Sequence, residues 1–144
     1  MVLKKIALAA DHAGFALKSQ LRDALAAQGH ETLDLGTNDE HSVDYPDFGR
    51  ALGEAIAAGD AECGILVCGT GIGISIAANR VSGVRAAVCH DVTTARLARM
   101  HNDANVLAIG SRIIGSQVAL DCVDAFLETE FEGGRHAKRV GKLG

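Results

Sequence analysis

Cys68 stands at the end of the apolar run Gly64-Ile65-Leu66-Val67 and directly before Gly69-Thr70-Gly71-Ile72-Gly73. Glycines at alternate positions let the chain turn tightly and expose successive backbone N–H groups, and a helix opening there adds its positive end. Cysteines beside helix N-termini are held toward the thiolate, the form that acts as base or nucleophile. This pairing predicts an enzyme that acts on a small anionic substrate. Taken alone, Cys68 also fits a small buried hydrophobe. What argues for chemistry is its place at the mouth of a strand, where an inert thiol has no packing reason to be.

Other residues able to do chemistry fall at similar places. Asp11-His12 closes the first apolar run, and His101-Asn102-Asp103 lies between a helix and a strand. Arg112 follows the last strand pattern, while Arg135 and Arg139, four apart, share one face of any helix and suit a phosphate. The glycine loop is not a P-loop, since no Gly-Lys-Ser/Thr follows it. A dinucleotide fingerprint would need glycine at position 74, which is Ile74, and Asp91 reads as the N-cap of the next helix. The six histidines include no pair spaced as in His-Glu-x-x-His, so no metal centre is expected. His30, His41 and His90 read as structural or solvated. Cys63, Cys89 and Cys122 read as core.

The elements that must position these groups alternate. Strands are predicted at Lys5–Ala10, His30–Leu35, Gly64–Cys68, Val84–Cys89 and Asn105–Ile109, with helices from Phe15 to Gly29, Phe48 to Ala58, Ile74 to Arg80, Val92 to Met100 and Gly115 to Leu127. The strands are too continuously apolar to have a solvent face. The fold class is therefore α/β: a three-layer α/β/α sandwich around a five-stranded parallel, Rossmann-like sheet, in one domain spanning 1–144. A basic helical tail, about 133–144, closes it with Arg135, His136, Lys138, Arg139 and Lys142.

Composition narrows the classes further. With 144 residues and 48% hydrophobic content the chain buries a core without disulfides, and its four cysteines, lacking Cys-x-x-Cys spacing, read as reduced thiols. A net charge of −4 with 3% aromatics gives no general attraction to nucleic acid or to an anionic membrane. Neither a signal segment nor an apolar run long enough to span a membrane is present, so a cytoplasmic location is expected.

Together, Asp11-His12, Asp44-Tyr45-Pro46, the run from Cys68 through Gly73 to Asn79, His101-Asn102-Asp103, Gly110-Ser111-Arg112 and Glu132 through Arg139 resemble the ribose-5-phosphate isomerase B family, which includes galactose-6-phosphate and allose-6-phosphate isomerases. The resemblance implies an aldose–ketose isomerase of the pentose phosphate pathway that uses no cofactor and no metal. It also implies a homodimer, with a tetramer as the larger assembly, whose active sites lie at the interface. Another branch of the family carries a glutamate where Ser75 stands here, consistent with Cys68 as the base. The resemblance assigns ring opening to His101 with Asp11 as helper, the enediolate to the N–H groups of Gly69, Thr70, Gly71, Ile72 and Gly73, and proton shuttling to Thr70. Arg112, Arg135, Arg139 and His12 then take the phosphate, and Asn102 and Tyr45 the sugar hydroxyls. A substrate of six or four carbons is the alternative, and a non-enzymatic nucleotide-binding module is the reading from another class.

Overall fold

Alternate residues of the central strands face opposite ways, and both faces are apolar. In the computed structural model, which describes residues 2–144, Ile6, Leu8 and Ala10 point into one core with Ile65, Val67, Leu107 and Ile109. Ala7 and Ala9 point into a second with Leu66, Cys68, Val106 and Ala108. A strand buried on both sides must lie in a sheet covered on both faces.

The elements follow in the order β1 (Lys5–Ala10), α1 (Phe15–Ala27), β2 (Glu31–Asp34), α2 (Tyr45–Ala57), β3 (Cys63–Cys68) and α3 (Ile72–Asn79). Then come β4 (Ala86–Val88), α4 (Val92–Asn102), β5 (Val106–Gly110), α5 (Ser116–Glu128) and α6 (Arg135–Gly141). All strand pairs are parallel, in the order β2-β1-β3-β5-β4. Leu17, Leu21 and Leu25 of α1 share the first core with Ala95 of α4 and Cys122 and Phe126 of α5; Leu52 of α2 and Ile74 and Ala78 of α3 fill the second. The expected α/β/α sandwich is what forms.

That distribution locates the crevice. After β1 the chain leaves toward the α1 face, after β3 toward the α3 face, and after β5 back to the α5 face. The loop after β3 therefore parts from both neighbours at the carboxyl ends of the strands, where ligands settle in open α/β sheets.

Several boundaries differ from the sequence reading. Helix α2 starts at Tyr45 rather than Phe48, because Pro46 sits in its first turn, where a missing N–H costs nothing. Helix α3 starts at Ile72, two residues early, because Gly71 takes φ +78° and starts the turn. His30 is not in β2; it is buried, and its Nδ1 accepts the Lys4 N–H at 3.0 Å. Strand β4 shrinks to three residues at the sheet edge. Asp91 does cap α4, its carboxylate accepting the Thr94 N–H at 2.6 Å and lying below the ordinary carboxylate range for that reason. Among the described residues no helix is long and apolar enough to cross a membrane.

Candidate active site

Cys68 ends β3 almost fully buried, opposite Gly110 of β5. Gly71 owes its left-handed backbone to having no side chain: a Cβ there would lie 2.9 Å from the Ile109 carbonyl carbon. The turn it permits brings the Gly71 N–H to 3.1 Å from the Cys68 sulfur. That N–H points at the sulfur from the start of α3. The other thiols sit differently: burial pushes Cys63 and Cys122 up to about 11 and raises Cys89 as well.

The glycine loop is stitched to the segment after β5. Ser111 N–H reaches the Cys68 carbonyl at 2.8 Å and Arg112 N–H the Gly69 carbonyl at 3.0 Å. The Arg112 guanidinium lies over Gly69, so close that a Cβ there would sit 3.3 Å from it. Within the loop, the Ile72 N–H already donates to the Thr70 hydroxyl at 3.2 Å. Of the five N–H groups expected to cradle an oxyanion, those of Gly71 and Ile72 are thus engaged inside the loop. Tyr45 packs on Gly73, where any side chain would collide with its ring.

Asp11 and His12 line the other wall. The buried Asp11 carboxylate accepts the Gly14 N–H at 3.1 Å, and His12 Nδ1 accepts the Val43 N–H at 3.2 Å, leaving Nε2 as its donor. The Ser75 side chain is buried, its hydroxyl donating to the Ile72 carbonyl at 2.7 Å. His90, read from sequence as structural or solvated, accepts the Gly110 N–H on Nε2 at 2.8 Å and so fixes the strand end beside Cys68. Its signal was its position after a strand, the same one carried by Asp11-His12.

The second group of predicted residues lies elsewhere. Helix α4 begins at the crevice and runs antiparallel to the strands for 11 residues, about 16 Å at 1.5 Å each. His101 and Asn102 therefore emerge near the opposite, amino end of the sheet, where Asn102 shares a cleft with Val84 and Arg85 ahead of β4. Arg139 joins them, lining a cleft of about 280 Å³ with His101, Asn102 and His136, and Arg135 opens the same helix, α6. Arg135 and Arg139 share one helical face as their spacing required. Within one chain, then, Asp11, His12, Tyr45, Cys68, the loop and Arg112 come together; His101, Asn102, Arg135 and Arg139 form a separate cluster.

Fold and site together define a class: a doubly wound parallel sheet with a thiol at a strand end, a glycine loop opening a helix beside it, and arginines at both ends of the sheet. The chain belongs to the Ribose/Galactose Isomerase family, whose model matches residues 6–143. It is 49% identical over 138 residues to ribose-5-phosphate isomerase B of Escherichia coli, covering 96% of this chain and 93% of that one. It is 44% identical over 141 residues to the D-erythrulose-4-phosphate isomerase of Pectobacterium atrosepticum, covering 96% and 92%. The structure of Clostridium thermocellum ribose-5-phosphate isomerase B superposes with a TM-score of 0.96 at 54% identity, covering 97% of this chain and 95% of that one. The protein is accordingly an isomerase with the fold of those enzymes.

Proposed function

We propose that this isomerase interconverts D-ribose 5-phosphate and D-ribulose 5-phosphate through an enediolate, as a cytoplasmic homodimer in the non-oxidative pentose phosphate pathway. The observation that carries the chemistry is the Gly71 N–H on the Cys68 sulfur, which joins a base to an anion cradle at the switch point of the sheet. Support for ribose comes from the relatives at 49% and 54% identity.

The furanose ring opens first, with His101 moving a proton between the anomeric hydroxyl and the ring oxygen. Cys68 thiolate takes the proton from C2 of the open aldehyde. The C–H electron pair becomes the C1–C2 double bond, and charge moves onto O1, where loop N–H groups receive it. In other enzymes one such donor contributes about 3–4 kcal/mol. The Thr70 hydroxyl carries a proton from O2 to O1, and Cys68 returns its own to C1, leaving the ketone at C2. The hydrogen travels as a proton and the sugar keeps its electrons, so the reaction balances without a redox cofactor. Arg112, Arg135, Arg139 and His12 position the phosphate by charge-assisted hydrogen bonds; Tyr45 and Asn102 hold hydroxyls.

One chain holds Cys68 and His101 at opposite ends of its sheet, whereas acid–base groups must lie within about 3 Å of the atoms they serve. The homodimer supplies what one chain lacks: the Cys68 end of one copy faces the His101 and Arg135 end of the other. A second reading, a four-carbon substrate, is favoured by the 44% identity to the D-erythrulose-4-phosphate isomerase. The test runs wild type and Cys68→Ala on four-, five- and six-carbon aldose phosphates in D₂O. Wild type should turn over ribose 5-phosphate fastest, with deuterium entering the product. The variant should do neither; near-normal turnover removes Cys68 from the mechanism, and equal rates on all sugars remove ribose as the specific substrate.

A further inference from the structure

Glu132 and His136 have no part in the chemistry above, yet both face His101. Glu132 follows α5 and is tied to the end of α4, its N–H donating to the Met100 carbonyl at 3.1 Å; His136 lies in the first turn of α6. The rings of His101 and His136 stack with centroids 4.4 Å apart and planes 16° from parallel. His101 Nε2 lies 3.5 Å from Glu132 Oε1. One ligand atom from each of the three residues falls within 4.8 Å of the others.

Stacking leaves one feature unexplained. His136 is only 8% exposed, and its Nε2 is buried without a hydrogen-bond partner. A buried polar nitrogen in that state is destabilising, so a group that binds it gains what the fold forgoes.

We propose that His101, Glu132 and His136 bind a transition-metal dication of the zinc class, and that filling this site stops the isomerase by occupying His101. Two imidazoles and one carboxylate are a zinc ligand set, with a fourth position left for water. Magnesium and calcium demand oxygen shells that these residues do not offer. Arg135 and Arg139 nearby also disfavour a cation bound by charge alone, which selects metals that bond strongly to imidazole. Parallel rings aim their lone pairs side by side, so His101 has to turn out of the stack to share an ion. Its 38% exposed side chain and loose contact to Glu132 leave it free to do so.

The site rests on geometry; the inhibition rests on the proposed role of His101. Full-length protein stripped with EDTA is titrated with Co²⁺, followed by its visible absorption, with Zn²⁺ and Mg²⁺ as competitors, while isomerase rate is followed in parallel. The expected result is one Co²⁺ per chain, displaced by Zn²⁺ but not by Mg²⁺, with the rate falling at the same midpoint and returning on chelation. Glu132→Gln, at an exposed position, and His136→Ala should each weaken binding about tenfold or more. Absence of Co²⁺ binding, or binding that survives both substitutions, overturns the site. Binding that is lost in the variants but leaves the loaded wild-type enzyme at full rate overturns the inhibition and the ring-opening role of His101. Cys68→Ala tests the base independently of either result.

Discussion

If the two half-sites of one chain serve different active centres, two inactive variants should rescue each other. In a Cys68→Ala homodimer both sites lack the base, and in a His101→Ala homodimer both lack the ring-opening group. A heterodimer of the two has one site with both defects and one with neither, because a two-fold interface pairs the Cys68 end of each chain with the His101 end of the other. It should show about half the wild-type kcat per dimer, with KM unchanged, from its one intact site. The substitutions are mild enough for the comparison to be meaningful. Replacing Cys68 removes one sulfur atom from a packed position, about 1 kcal/mol against the 5–15 kcal/mol of an ordinary domain, and His101 is partly exposed. Two affinity tags on co-expressed chains isolate the heterodimer, and a coupled assay with ribose 5-phosphate reads the rate. The chain-internal alternative requires the α4 end to approach Cys68 across about 16 Å of helix. A heterodimer as inactive as both parents refutes the composite site.

Other perturbations probe the supports. Gly71→Ala forces a left-handed φ of +78° on an alanine whose Cβ meets backbone at 2.9 Å; strain and overpacking together should cost about 2–4 kcal/mol in urea unfolding, and displacing the N–H from Cys68 should cut kcat about a hundredfold. A change under about 0.5 kcal/mol would mean that the turn is looser than its packing implies. Lys18, wholly buried, donates to Asp34 at 2.6 Å and to the Thr37 carbonyl at 2.7 Å; Lys18→Ala should destabilise by about 3 kcal/mol, since Arg22 still pairs Asp34. Burial works to raise the Asp34 carboxyl, but hydrogen bonds from Lys18, Gly36 and Arg22 hold it below its ordinary 3.8. Its stabilisation is therefore complete above that value and lost as pH falls below it, so Asp34→Asn should flatten the acid limb of the stability curve. Iodoacetamide at pH 8 should leave Cys63 and Cys122 largely unreacted, and both should alkylate as pH nears 11; mass spectrometry showing either fully modified at pH 8 would contradict their burial.

The crevice half of the site was legible because local rules act there. A glycine triplet after an apolar strand fixes a turn, and the turn fixes where the thiol and N–H groups point. Asp11, His12 and Arg112 follow strands in the same sense, so parallel topology alone collects them. Boundaries missed by two or three residues, at Tyr45 and Ile72, turn on a proline and a glycine that start helices rather than precede them. What periodicity could not show was distance across the sheet. An alternating βα chain sends each helix back along its strand, so residues at helix ends, such as His101 and Asn102, finish at the edge opposite the crevice. The stack of His101 on His136 was hidden for another reason: it joins the end of α4 to the start of α6 across 34 intervening positions, through a turn that Glu132 closes on Met100. Motif spacing singled out Cys68 and His101, while the direction of the helices, which no motif states, sets the two at opposite ends of one sheet.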